Sequence, residues 1–240
     1  MRTAGLESSQ LILGVDVSKS TEWQGRNSYG IGLHDYSRGP TPFEHAIQLT
    51  GQVLENFDDD HIIPFFRFGC YQTRDKSVLP FPLSGVPDCV GTEGVINAYR
   101  EALPSITMAG PTTMAPMVHK AMELVQQTGE YHILIILTDG DISNAALDAQ
   151  AIIQARQLPM SIITLGLGDG PFDTLEHFDD HLHSKGQGPD WDNFQFVPFT
   201  KLEKSFATCE RPDLTLATAI LQEIPDQYKI IRKLGLLNRV

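Results

Sequence analysis

The chain has 240 residues, 30 acidic and 18 basic, for a formal net charge of −12, with 41% hydrophobic and 20% charged side chains. That length and balance suit a globular domain with a full core, and the acidic excess argues against nucleic acid and anionic lipid as partners, since both need a clustered cationic face. Three cysteines without a C-x-x-C pair, no leader resembling a signal peptide, Arg2 in place of a myristoylated Gly, and no apolar run near the ~20 residues of a membrane span predict a cytoplasmic chain that does not insert in membranes.

The first strand signal is the continuous apolar run 11–17, typical of a central parallel strand, and it runs out into Asp16-Val17-Ser18-Lys19-Ser20. Residues 21–39 read as a long polar loop. Thr41-Pro42-Phe43-Glu44 predicts a helix opened by a capping box with proline in its first turn. Its inward stripe is Ala46, Ile47, Thr50, Val53, Leu54 and Phe57. Asp58-Asp59-Asp60 lacks the alternating calcium-loop pattern and is expected to be a solvated turn. Residues 62–68 form a strand that Pro64 demotes toward an edge or a bulge, residues 78–83 a short further strand, and residues 91–103 a helix ended by Pro104.

Thr112, in Gly110-Pro111-Thr112, is expected to open the next helix. Met114, Met117, Val118, Ala121, Met122 and Val125 recur there at helical spacing, as core residues do. Residues 131–137 form a strand running into Thr138-Asp139-Gly140. Ser143 is expected to cap a helix through Arg156, stopped by Pro159. Strands follow at 160–167 and 194–198, then a terminal helix over 214–236 broken or kinked at Pro225. Alternating strands and helices predict an α/β fold with a doubly wound, mostly parallel central sheet flanked by helices, in one domain spanning 1–240.

Several motifs fail on inspection. Gly166-Leu167-Gly168-Asp169-Gly170-Pro171 follows a strand, but proline occupies the third glycine position of a dinucleotide loop, so it reads as a turn. No P-loop and no G-x-S-x-G elbow is present. His177, His181 and His183 lie near Asp179-Asp180 without an H-E-x-x-H motif; the tract reads as a loop rather than a zinc site. Asp16-Val17-Ser18 lacks the second aspartate of a D-x-D phosphotransferase.

What remains is a pair of strand-end carboxylates, Asp16 and Asp139, with the hydroxyls Ser18, Ser20 and Thr112. Either stretch alone is an ordinary loop in which Asp and Ser bond their own backbone. Together they offer the oxygen donors that a small hard cation such as magnesium takes. In an open α/β sheet, ligands bind at the carboxyl ends of the strands, at a topological switch point.

These residues resemble the von Willebrand factor A domain of the copine family, and the chain is similar to the A domain of plant copine-like RING ubiquitin ligases. The resemblance is carried by residues 5–9, 11–20 with Glu22-Trp23, 57–69, Gly110-Pro111-Thr112, 137–140, 158–163, 168–172, 195–199 and 223–227. It implies a metal-ion-dependent adhesion site (MIDAS) of Asp16, Ser18, Ser20, Thr112 and Asp139 holding Mg2+ (or Mn2+). Ser18 and Ser20 would ligate directly, Thr112 directly or through water, and the two aspartates mostly through water. A protein partner would supply an acidic side chain to the remaining coordination position, so the implied role is binding, in signalling or membrane trafficking, and not catalysis. Neither the paired lipid-binding modules of copines nor the ligands of a RING are found in these 240 residues. Three rivals stand beside this reading: a substrate-recruiting domain of a RING-type ligase, a magnesium-dependent phosphoester hydrolase, and a scaffold whose site is vestigial.

Overall fold

The structure, a computed structural model, describes residues 9–182 and 191–237. His183, the polar tract 184–189 and residues 5–8 therefore lie outside the described residues. Seven strands form one sheet: β1 (Gln10–Asp16), β2 (Ile62–Phe68), β3 (Leu79–Pro80), β4 (Asp88–Val90), β5 (His132–Thr138), β6 (Met160–Gly166) and β7 (Phe194–Val197). Their order is β3-β2-β1-β5-β6-β7, with β4 also paired to β2. The β2-β1-β5-β6-β7 core is parallel throughout, while β3 and β4 run antiparallel to β2.

Among the described residues eight α-helices connect and cover the strands: α1 (Pro42–Leu54), α2 (Gly91–Ala102), α3 (Ala115–Thr128), α4 (Ala145–Ala155), α5 (Asp173–His181), α6 (Phe199–Ser205), α7 (Pro212–Leu221) and α8 (Ile224–Leu234). Strand residues alternate between two cores, as the two-residue period requires. Leu11, Leu13, Val15, Ile133 and Ile135 pack with α1, α2, α7 and α8 on one face. Ile12, Leu134, Ile136 and Ile162 pack with α3, α4 and α5 on the other. Each such side chain, fully buried, contributes about 1.5–3 kcal/mol. Gly14 lets α3 come close: a Cβ there would lie 2.7 Å from the Met117 side chain.

From β1 the chain winds outward through β2, then crosses back to start β5 on the opposite side of β1. The switch point thus falls between β1 and β5, the strands that end at Asp16 and just before Asp139.

Several expectations need correction. β2 is not a bare edge, because β3 and β4 line its outer side; Pro64 precedes Phe65, the first residue registered with β1, so its missing N–H interrupts no rung of that ladder. The strand expected over 78–83 shrinks to Leu79–Pro80. The capping box is half formed: Thr41 accepts the Glu44 amide at 3.0 Å, but the Glu44 carboxylate turns to Arg100 and Tyr36 instead of the cap. Asp58 is not solvated; it is buried and accepts the Leu11 amide at 3.1 Å, tying the start of β1. α4 is capped by Asn144, which accepts the Leu147 amide, and not by Ser143. The tract read as a loop near Asp179 is helix α5, and α6 was not anticipated.

On its outer margin β7 presents the amides of Phe194 and Phe196, which donate to Asp192 (3.1 Å) and Asp179 (2.8 Å). Among the described residues no helix is long and apolar enough to cross a membrane.

Candidate metal centre

Asp16 closes β1 and Asp139 directly follows β5, so two adjacent parallel strands deliver two carboxylates to one end of the sheet. Asp16 is wholly buried. Its Oδ1 accepts the Ser18 amide at 2.8 Å, which turns the chain out of the strand, and its Oδ2 accepts the Thr138 hydroxyl at 2.8 Å. The turn leads into a short 3-10 helix, Lys19–Glu22, in which Ser20 is buried. The Ser18 and Ser20 hydroxyls lie 3.0 Å apart. The Asp139 Oδ1 accepts the Asp141 amide at 3.0 Å.

Thr112 does not open α3, contrary to the sequence reading. The helix starts three residues later, at Ala115, and its first turn is satisfied by Asp148 of α4, which accepts the Ala115 amide at 2.7 Å and the Thr113 hydroxyl. Ser143 holds the Thr112 carbonyl through its amide at 2.9 Å. Thr112 Oγ1 is thereby left for the centre instead of a helix cap. Nothing local in the sequence marks Asp148 as a cap, because it is contributed by a different helix.

Gly69, just beyond β2, gauges the convergence. Its φ is +78°, a left-handed conformation, and a Cβ there would stand 2.8 Å from Thr112 Oγ1, 2.9 Å from Asp16 Oδ1 and 3.1 Å from Ser18 Cβ. Four separate stretches thus meet around one cradle, and all five anticipated residues are buried within it. Gly69 itself was not anticipated; its position directly after a strand is the sequence signal that marks it.

Two buried oxygens, Asp139 Oδ2 and Thr112 Oγ1, have no hydrogen-bond partner. Orphaned buried acceptors are costly and call for an ion or a ligand. Burial, reinforced by the neighbouring Asp139, pushes the Asp16 carboxyl up to about 8 against the bonds from Ser18 and Thr138. Burial raises Asp139 as well, opposed by Ser20 and the Asp141 amide. Two carboxyls so placed are electrostatically unsatisfied without a cation. Two carboxylates and three hydroxyls form an all-oxygen set of the kind Mg2+ and Mn2+ take, so the residues present fit such an ion.

Among the described residues, the imidazole at this centre is that of His34, which lies in the segment expected to be a polar loop. It is buried, stacks on Phe43 at 4.3 Å, and faces the Asp16 backbone carbonyl through Nε2 at 2.9 Å. Its Nδ1 meets the Tyr99 hydroxyl at 2.6 Å. Burial pushes its pKa down to about 4, so the ring is neutral. With both nitrogens engaged, His34 is no free base for hydrolysis.

His177 and His181 lie one turn apart on α5 with their rings stacked at 4.6 Å. Among the described residues no group of three or more His, Cys, Asp or Glu is disposed to hold a metal. Cys70, Cys89 and Cys209 are free thiols.

The doubly wound sheet with this switch point is the von Willebrand factor A fold. Solved structures of similar shape include proximal thread matrix protein 1 from the mussel byssus with a zinc-occupied MIDAS motif (TM-score 0.51, 16% identity, 88% of this chain and 46% of that one). Another is the PilB minor pilin from Streptococcus sanguinis (TM-score 0.53, 12% identity, 92% of this chain and 62% of that one). Residues 32–240 match the copine family, and the chain belongs to it. It is 40% identical over 250 residues to E3 ubiquitin-protein ligase RGLG5 of Arabidopsis thaliana, covering 98% of this chain and 57% of the ligase. It is also 40% identical over 242 residues to Copine family protein 1 of Caenorhabditis elegans, covering 100% of this chain and 21% of that protein. The chain spans about half the length of the plant ligases it matches.

Proposed function

We propose that the chain is a metal-ion-dependent protein-interaction domain. Asp16, Ser18, Ser20, Thr112 and Asp139 would hold Mg2+ or Mn2+, and a partner protein would bring an acidic side chain to the ion. The observation that carries this reading is the cradle itself, with buried Asp139 Oδ2 and Thr112 Oγ1 lacking any partner where two carboxyls meet. When bound, the ion would supply positive charge and an open coordination position. The chain's own contribution is to hold the oxygens in place: the Asx turn at Asp16 orients Ser18, and the Ser18–Ser20 contact presents both hydroxyls on one side.

The hydrolase alternative needs a general base beside the ion, and His34 is spent on the Asp16 carbonyl and Tyr99. The likeness to proteins named E3 ubiquitin-protein ligases supports a second role for the same surface, recruiting a substrate on behalf of a ligase module elsewhere in a longer protein.

The test is a thermal shift. At a hundredfold excess over Kd, Mg2+ or Mn2+ should stabilise the fold by about 2.7 kcal/mol, which is a Tm rise of about 5–10 °C for a chain of this size. Asp16→Ala should abolish the rise. The comparison is of shifts, because removing a buried carboxyl also changes the metal-free baseline. Equal shifts in the two proteins would end the reading.

A further inference from the structure

We infer that His34 and Tyr99 are positioning residues for the metal centre, acting through a one-directional hydrogen-bond chain that runs from the start of α1 to the backbone of Asp16. The inference rests on the metal-binding reading proposed above.

The direction of the chain follows from its ends. The Asp16 carbonyl can only accept, so the His34 nitrogen 2.9 Å from it, Nε2, carries the proton. In a neutral imidazole Nδ1 is then an acceptor, and the Tyr99 hydroxyl, 2.6 Å away, donates to it. Tyr99 Oη in turn accepts from the Thr41 hydroxyl at 2.9 Å. Thr41 Oγ1 accepts the Glu44 amide at 3.0 Å, as the N-cap of α1. Every donor in the series has one acceptor, and each group is buried. Glu44 is fixed from the other side by Arg100 of α2 and by Tyr36.

The consequence lies at Asp16. Its carboxylate is set by Ser18 and Thr138, and the peptide that follows it is held at both ends, by the His34 bond to the Asp16 carbonyl and by the Val17 amide, which donates to the Phe68 carbonyl of β2 at 2.9 Å. Breaking the chain leaves that peptide held from the β2 side alone and leaves the Asp16 carbonyl without its His34 donor, at the point where the chain turns toward Ser18 and Ser20. Chained hydrogen bonds reinforce one another in a low-dielectric interior, so loss at Tyr99 is felt two links away. The outer partners that orient metal ligands usually matter about 10–100-fold in metal affinity. Because these residues reach the ligand through its backbone, the lower end, about tenfold, is expected.

The experiment measures Mn2+ affinity by calorimetry on the full 240-residue chain, with the 15N resonances of His34 recorded in metal-free protein. Tyr99→Phe keeps the ring in the core and removes only the hydroxyl, so it tests the chain without a packing defect. It should weaken Mn2+ binding about tenfold. His34→Leu should weaken binding at least as much, while His34→Gln, which retains an N–H for the Asp16 carbonyl, should restore most of it. The 15N pattern should be that of the Nε2–H tautomer and should persist in Asp16→Ala. Unchanged Mn2+ affinity in Tyr99→Phe, with only a lower Tm, would make the chain purely structural and overturn the inference, as would an Nδ1–H tautomer. Absence of Mn2+ binding in the unsubstituted chain would overturn the metal reading and this inference together, a result distinguishable from the others because no variant is needed to see it.

Discussion

Gly69 is the residue on which the centre is most finely balanced. Its positive φ and the 2.8–2.9 Å approach of Thr112 Oγ1 and Asp16 Oδ1 to the place where a side chain would begin leave no room for a methyl group. Gly69→Ala should therefore cost about 1–3 kcal/mol from backbone strain and also blunt the Mg2+ thermal shift, measured by urea unfolding and by melting with and without the ion. Wild-type values in both would mean that the cradle is more open than described. Asp16 makes a separate claim on pH. Burial, with Asp139 beside it, pushes its carboxyl up to about 8, well above the ordinary carboxylate range, so the folded protein keeps a proton that the unfolded chain releases. Its contribution to stability is present at low pH and is lost as pH climbs from about 4 through about 8. On the proposed reading a divalent ion would displace that proton, so the Mg2+-induced rise in Tm should grow across the same interval, and a pH-independent increment from pH 5 to 8 would contradict it. At this scale the sequence offered local patterns, strand-end carboxylates and spaced hydroxyls, and the five side chains they single out are all buried in the structure. Gly69 and His34 were not singled out, since their importance comes from what folding carries to them.

At the scale of elements, the loop holding Thr112 shows how a helix boundary can be misplaced by a good local signal. Threonine before an apolar helical stripe is a good cap signal, yet α3 takes its cap from Asp148, a residue 33 positions beyond Ala115. Asp148→Ala should destabilise the protein by about 1–2 kcal/mol through the lost cap, readable as a lower urea midpoint. It should also weaken Mg2+ binding, because Thr113 and its neighbour Thr112 lose their anchor. An unchanged midpoint would show that the α3 terminus is satisfied in some other way. The central strands and the longer helices were legible from apolar runs and 3.6-residue stripes. α5 and α6 were not, because α5 carries Asp, Glu and His on most of its turns and α6 is only seven residues long. For such segments packing against the sheet, through Leu175, Phe178 and Phe199, decides the conformation.

For the molecule as a whole, strand–helix alternation sufficed to anticipate a doubly wound sheet. It could not supply the antiparallel β3 and β4, two and three residues long, whose pairing depends on contacts made only once β2 is in place. The charge of −12 spread over 240 residues leads to one further expectation. Duplex DNA should show no measurable binding in fluorescence anisotropy at about 0.15 M salt, because phosphate contacts require a cationic patch that releases counterions. Binding that weakens steeply with added salt would reveal such a patch.

The outer margin of β7 has a consequence for life in a crowded cell. The Phe194 and Phe196 amides, which a foreign strand would need as its first points of purchase, are already committed to Asp192 and Asp179. An intruding backbone would have to evict two carboxylates and then lie beside their negative charge. Along this margin a second copy of the chain therefore finds a guarded edge and not an open template for ribbon growth.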